Sequence, residues 1–272
     1  MPRLSIVIVT YNSKPDIQAC LASLTAHAPS CDHEVLVVDN ASADGTSEAV
    51  RAQWPAVKVI DAGGNLGFAR ASNLALRLSS GELYLLLNPD TTVQSGAIDH
   101  LVAALDSDPA AAAAGPRLID EHGVAELSFG PMVSPLGELR QKLLVTAHRR
   151  RLAPASAVVE RMTSMRREVD WVSGACLLAR RADAEAVGLL DERYFMYLED
   201  VDFCAALRSR GRRILFVPGA EVVHRRGQSR RSAASATEQA YRRSQIAFYE
   251  KHHPRWARWL RAYLKVRGRL PS

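Results

Sequence analysis

Four short apolar runs, each followed by a segment of different periodicity, constrain this chain more than any other feature. The first, Ser5-Ile6-Val7-Ile8-Val9, is continuous rather than alternating, as expected of a strand covered on both faces in a parallel sheet. After Pro15 the period changes. Ile17, Cys20, Leu21 and Leu24 recur at i, i+3, i+4 and i+7, which predicts an amphipathic helix over 16–26. Strands over 34–38, 57–60 and 83–87 and helices over 44–53 and 68–78 continue the alternation. Repeated strand-helix units imply right-handed crossovers and an α/β fold with a mostly parallel central sheet flanked by helices.

Sheets of this kind bind ligands outside the carboxyl ends of their strands. The residues at those ends are Thr10-Tyr11-Asn12, Asp39-Asn40, the stretch 61–65, and Asn88-Pro89-Asp90. Asp39 and Asp90 each follow an apolar run, where an ionised carboxylate is costly without a partner. One such Asp is ordinarily a cap for the next turn. Two, read as lying at adjacent strand ends, favour a shared polar ligand. Hard oxygen donors suit Mg²⁺ or Mn²⁺, ions that take one or two protein carboxylates and fill the remaining positions with water and phosphate. The substrate implied is a nucleoside diphosphate. Gly63-Gly64-Asn65-Leu66-Gly67 could bring backbone amides to an anion at a helix start. It is neither a dinucleotide fingerprint nor a P-loop, so redox and triphosphate-hydrolysis chemistries are not supported.

A second acidic cluster, Glu199-Asp200-Val201-Asp202, follows the aromatic run Tyr194-Phe195-Met196-Tyr197. First-turn acids are favoured by the helix dipole, which accounts for Glu199 and Asp202 better than for Asp200. Aromatic walls raise the proton affinity of a carboxylate, as a general base for a hydroxyl requires. The helix containing this cluster is expected over 199–210, closed by Gly211, with a strand over 213–217 before Pro218. His224 stands among Arg225, Arg226, Gly227, Gln228 and Ser229, company that suits a metal or phosphate. Between 129 and 167, Pro131, Pro135 and Pro154 interrupt the pattern, and a mobile loop or lid is expected there.

At 272 residues and 47% hydrophobic, the chain can build one large domain. Its net charge of +6 is uneven: residues 225–272 hold 13 Lys and Arg against two Glu, about +11, leaving residues 1–224 near −5. No nucleic-acid-binding motif accompanies the basic stretch, so it reads as an attachment surface without a nucleic-acid partner. Trp256, Trp259, Leu260 and Tyr263 fall at i, i+3, i+4 and i+7 beside Arg258, Arg261 and Lys265. That pattern fits an interfacial membrane helix, and equally a helix packed on its own core or on a second subunit in a homodimer. Cys20, Cys31, Cys176 and Cys204 form no C-x-x-C pair, which suits a reducing cytoplasm. The opening apolar run is too short for a signal peptide or a membrane span.

Together these segments resemble the glycosyltransferase family 2 enzymes of the GT-A fold, most closely the rhamnosyltransferase-like branch. The matching segments are Ser5 to Asn12, Val37 to Thr46, Gly64 to Phe68, Leu87 to Asp90, Trp171-Val172-Ser173-Gly174, Tyr197 to Asp202, and His224 with Gly227 and Ser229. The resemblance implies a Rossmann-like sheet and a C-terminal helical tail. A GT-A domain would span 1–230, with a nucleotide-sugar half at 1–118, an acceptor and base half at 119–230, and a basic tail at 231–272. It implies donor contacts from Thr10, Tyr11, Asn12, Asp39, Asn65, Gly67, Asn88 and Asp90. Asp90 and His224 would hold Mg²⁺ or Mn²⁺, Asp200 would be the catalytic base, and Trp171, Gly174 and Glu199 would face the acceptor. Asn88 departs from the Asp found first in many Asp-x-Asp metal motifs, which leaves Asp90 dominant. The implied reaction is inverting transfer from a nucleoside-diphosphate sugar, with dTDP-rhamnose the best candidate, to a glycan or lipid-linked glycan of the cell envelope. It would take place in the cytoplasm at the inner membrane face. A sugar-nucleotide nucleotidyltransferase would want a basic glycine-rich loop near the N-terminus, which residues 10–14 do not supply. A non-catalytic glycan-binding protein on the same fold is the other alternative.

Overall fold

Each apolar run becomes a strand in the computed structural model, which describes residues 1–225 and 234–271. β1 (Leu4–Thr10), β2 (His33–Asp39), β3 (Lys58–Asp61) and β4 (Leu83–Leu87) are joined by α1 (Lys14–Ala26), α2 (Thr46–Gln53) and α3 (Phe68–Leu78). They pair in parallel in the order β3-β2-β1-β4. Every residue of β1 and β4 is buried, which is why these runs are continuous and do not alternate. β1 lies between β2 and β4, so Asp39 and Asp90 are not at adjacent strand ends. The helix expected from residue 44 starts at Thr46 instead, because the Asp44 carboxylate accepts from the Thr46 amide at 3.1 Å. An Asp so bonded acts as a cap outside the helix.

Past β4 the sheet becomes mixed. β5 (Thr91–Val93), α4 (Ala97–Asp106) and β6 (Ala111–Ile119) follow in sequence. β10 (Cys176–Arg180) inserts antiparallel between β4 and β6, and β11 (Arg213–His224) runs parallel to β6 and antiparallel to β5. β11 continues through Pro218 to His224, well beyond 213–217. Its register shift between Val217 and Glu221 gives the proline a place without breaking the strand.

The segment 129–167 is a helical hairpin, contrary to the loop or lid expected there. β7 (Phe129–Gly130) leads into α5 (Pro135–Arg149) and α6 (Ala153–Thr163), then β8 (Arg167–Val169) and β9 (Trp171–Val172). Pro135 and Pro154 stand in first turns, where a missing N–H forfeits no helical bond. Ser134 caps α5 by accepting from the Gly137 amide at 3.2 Å. α5 buries no residue, so it lacks the apolar core stripe by which helices are read.

After α7 (Arg181–Ala186), α8 (Glu199–Ser209) ends near Gly211, whose φ is +77°. The tail forms α9 (Ala234–His252) and α10 (Pro254–Val266). Phe248 and Tyr249 of α9 and Ala257 of α10 share a buried cluster with Val133, Tyr194 and Val201. On α10 the protein-facing residues are Ala257 and Leu264, whereas Trp256, Trp259 and Tyr263 are 53%, 72% and 54% exposed. The tryptophan stripe is therefore not what packs on the core. Among the described residues no helix is long and apolar enough to cross a membrane.

Candidate active site

The loops after β1 and β2 are tied to each other. The Asn12 amide donates to Ser42 Oγ at 2.9 Å, and Asn12 Oδ1 accepts from the Ala43 amide at 2.7 Å. Buried Asp39 accepts from the amide and hydroxyl of Ser42, so its carboxylate also closes its own turn. Ala41, held at φ +66°, pays the strain such binding loops concentrate. Thr10 is buried with its hydroxyl 2.6 Å from Ser13 Oγ, while Tyr11 is 48% exposed. Asn40 reaches across to the glycine loop: Oδ1 accepts from the Leu66 amide and Nδ2 donates to the Gly67 carbonyl, both at 3.2 Å. Exposed Asn65 accepts from the Gly67 amide at 3.1 Å. Gly67 has φ +79°, and a Cβ there would collide with Phe195, so only glycine permits this approach.

The pairing of β5 with β11 sets His224 opposite Thr91, and this brings Asp90 and His224 together. His224 Nε2 is 3.4 Å from Asp90 Oδ1, and Nδ1 is 3.3 Å from Glu126 Oε2. Burial opposes the imidazolium, but the two carboxylates outweigh it and hold the pKa up at about 9. Glu126 itself is fixed by its amide, which donates to the Leu118 carbonyl at 2.8 Å. A carboxylate on one imidazole nitrogen, with the other nitrogen aimed at a second carboxylate, is the arrangement that orients a metal-ligating histidine. One carboxylate and one imidazole also fit an ion that completes its shell with water and diphosphate. These residues thus fit Mg²⁺ or Mn²⁺, although no cluster of three ligating side chains occurs among the described residues. Asp16, buried in the first turn of α1, lies close enough for Asp90 to add to the upward push that burial gives its pKa.

Asp200 is reached from Asp90 through the backbone. The Asn88 amide donates to the Ala175 carbonyl at 2.9 Å, and the neighbouring Gly174 amide donates to Asp200 Oδ2 at 2.7 Å. The Val201 amide donates to Asp200 Oδ1 at 2.8 Å. Burial raises the Asp200 pKa and these amides only partly offset it. Tyr197 and Leu198, at φ +74° and +67°, are the strained pair that turns the chain into α8. A Cβ on Gly174 would press on Asp200 at 3.3 Å. Glu199 is 6% exposed, with Oε2 unpartnered and its pKa well raised by burial and by Asp200. Trp171 is half-buried, its indole N–H donating to the Pro131 carbonyl at 2.9 Å.

The structure gathers Asp90 with His224, Asp200 with Gly174, and Asn65 with Gly67, and ties the Asn12 loop to that of Asp39. Thr10 is buried, its hydroxyl hydrogen-bonded to Ser13 and its carbonyl accepting from the Asn40 amide at 2.9 Å. Gly227 and Ser229 lie outside the described residues. Sequence reasoning missed Glu126, Asn40 and Asp16. Glu126 gave no signal, since it sits in an aperiodic stretch. Asn40 was visible as a polar strand-end residue beside Asp39, and Asp16 as an acid within a helix turn.

The chain is 34% identical, over 98% of its length and 94% of the relative's, to the N-acetylglucosaminyl-diphospho-decaprenol L-rhamnosyltransferase of Mycobacterium tuberculosis. Its fold matches the mannosyltransferase PcManGT of Pyrobaculum calidifontis, solved with GDP-Man and Mn²⁺, with a TM-score of 0.64 at 21% identity over 96% of this chain and 69% of that one. It also matches GalNAc-T7, solved with UDP, GalNAc and Mn²⁺, with a TM-score of 0.60 at 17% identity over 82% and 43%. The sequence profile "Glycosyl transferase family 2" covers residues 5–173, and with a near full-length rhamnosyltransferase relative the chain belongs to that family.

Proposed function

We propose that the chain is an inverting, metal-dependent glycosyltransferase moving a sugar from a nucleoside-diphosphate donor, with dTDP-rhamnose the best candidate, to a hydroxyl of a lipid-linked glycan. The observation that carries this reading is the hydrogen-bonded run from the Asp90 turn through Ala175 and Gly174 to Asp200. It supports a diphosphate-side role for Asp90 and a hydroxyl-side role for Asp200, both beyond the carboxyl end of the interior strand β4. The name of the mycobacterial relative supports a rhamnosyl donor and a diphospholipid-linked GlcNAc acceptor.

In the proposed reaction the loops of Tyr11, Asn12 and Asp39 hold the base and ribose, and Asn65 and Gly67 the diphosphate side. Asp200 accepts the proton of the acceptor hydroxyl; the oxygen bonds to the anomeric carbon as the bond to diphosphate breaks, its electron pair leaving with the diphosphate. The amides of Gly174 and Val201 fix the Asp200 oxygens, and burial, by raising its pKa, strengthens it as a base. A divalent ion bound by Asp90 and His224 would neutralise the departing diphosphate. Glu199, buried beside Asp200, and Trp171 line the acceptor side. The exposed Trp256, Trp259 and Tyr263 of α10, with Arg255 and Arg258 beside them, support peripheral contact with the inner membrane face.

Thermal-shift screening of nucleotide sugars with Mn²⁺, followed by transfer to a prenyl-diphosphate GlcNAc acceptor, tests the reading. dTDP-rhamnose should give the largest shift and a product of inverted anomeric configuration. Preference for a UDP- or GDP-sugar would replace the donor and leave the reaction class. Absence of transfer from every donor would remove the enzymatic reading.

A further inference from the structure

α5 carries an apolar stripe that it does not bury. Leu136, Leu139 and Leu143, at i, i+3 and i+7, are 76%, 56% and 62% exposed. Arg140 flanks them, Lys142 is paired with Glu138, and Arg149-Arg150-Arg151 follow. Scattered surface leucines are ordinary, but three on one helical stripe with a basic rim form an interaction surface.

The opposite side of the same helix faces the site. Val145 and His148 line a cavity of about 400 Å³ together with Glu126 and His224. Glu138 locks the helix in that position, accepting from Tyr241 Oη at 3.0 Å, Gln245 Nε2 at 2.7 Å and Tyr249 Oη at 2.9 Å on α9. α5 also begins where α10 begins: His253 Nε2 lies 2.7 Å from the Val133 carbonyl oxygen, and Ala257 and Leu260 pack in the Val133 cluster. Two exposed apolar stripes with basic flanks therefore start from one junction.

We propose that α5 and α10 form a two-part surface that seats the protein on an anionic lipid bilayer, with α5 as the partition between the lipid and the cavity beside His224. This rests on the membrane contact read above for α10, and adds the element that connects it to the site. The charge selects the occupant. Residues 225–272 carry about +11, and the α5 rim is basic as well, so a second copy would bring like charge against like charge whereas an anionic leaflet complements both. A helix is about 10 Å across, so a lipid-borne acceptor need only pass one helix width to reach the cavity.

Vesicle flotation of the full chain tests the proposal, using three parts phosphatidylglycerol to seven parts phosphatidylcholine against phosphatidylcholine alone. Wild type should float with the anionic vesicles and lose roughly tenfold in partitioning on the neutral ones. The combined variant Leu136→Ser, Leu139→Ser, Leu143→Ser should lose roughly tenfold, as should Trp256→Ser with Trp259→Ser. These positions are exposed, and circular dichroism will report whether the fold persists. Arg140→Glu with Arg150→Glu leaves the leucines in place and should weaken binding to anionic vesicles alone. Wild-type binding by both the leucine and the charge variants, with loss only in the tryptophan variant, overturns the role of α5 and leaves the α10 contact standing. No flotation of wild type overturns both. A concentration-dependent dimer abolished by the leucine substitutions, in the absence of flotation, gives the surface to a second copy instead.

Discussion

The loops proposed to hold the nucleotide and the proposed acceptor side of the sheet are organised on different length scales. The loops after β1, β2 and β3 hold one another through short side chains a few tens of residues apart: Asn12 to Ser42 and Ala43, and Asn40 to Leu66 and Gly67. Each partner hangs from a parallel strand whose register is fixed by the core. On the acceptor side, Glu126 meets His224, and Asp202 meets Lys251 and His252. Those pairs exist only after helices and strands from distant parts of the chain have docked. The nucleotide side is thus a property of the sheet, and the reacting side a property of tertiary packing.

The sharpest way to break that contrast is to change the acceptor side and look for an effect on donor binding. On the proposed mechanism, Asp200→Asn can accept from only one of the two amides and cannot take a proton, so kcat should fall about 10²- to 10⁴-fold. Donor affinity, measured by calorimetry, should stay within about twofold, because the loops that hold the nucleotide do not touch Asp200. A variant that retains turnover removes Asp200 as the base. One that loses donor binding shows the two sides are a single unit.

A smaller effect is expected at Glu126, which would support the proposed ion through His224. Glu126→Gln preserves shape but removes the charge that orients His224, which should weaken Mn²⁺ affinity about 10- to 100-fold. Titration of Mn²⁺ followed by electron paramagnetic resonance measures this without turnover. Unchanged affinity would make the Glu126 contact a packing detail.

How much of this could be read from sequence follows the same division. Strand runs such as 5–9 and 83–87 were legible because full burial on both faces writes itself as unbroken apolar residues. Asp39, Asp90 and Asp200 stood out because carboxylates beside apolar runs need partners. Glu126 did not, since its importance comes from a strand pairing that sets His224 opposite Thr91. α5 was unreadable for the opposite reason: it presents its leucines outward and buries nothing, so no core periodicity marks it. Pro218 marks a strand end in the sequence because a proline cannot donate to a ladder, but a register shift accommodates it in the strand.

Stability tests the same division without any substrate. Asp202 is 2% exposed and accepts from Lys251 Nζ at 2.8 Å and from His252 Nε2 at 2.6 Å. Asp202→Ala removes the buried acceptor shared by Lys251 and His252, leaving Lys251 with Asp191 alone, and should cost about 2 kcal/mol. Denaturant unfolding should show the loss, and hydrogen exchange should place it in α8 and α9 with β1 to β4 still protected. Uniform loss of protection would mean that the two sides unfold as one.

The smallest effect concerns Glu138, which attaches α5 to α9. Burial alone would raise its pKa, but the hydrogen bond and charge of Lys142 and the hydroxyls of Tyr249 and Tyr241 outweigh it and hold the carboxyl below the ordinary range. A depressed folded-state pKa stabilises the protein at pH above the unfolded value of about 4.3, and that contribution is lost as pH falls through the folded value. It should be worth about 1 kcal/mol. Between pH 6 and pH 4 the attachment should therefore hold, and below pH 4 exchange of the α5 amides should rise before that of the sheet. Glu138→Gln cannot titrate and should flatten this pH dependence, while lowering α5 protection modestly at neutral pH. If the variant and wild type lose α5 in parallel on acidification, the pH sensitivity belongs to other carboxylates, and α5 is held to the acceptor side by its apolar contacts rather than by the Glu138 lock.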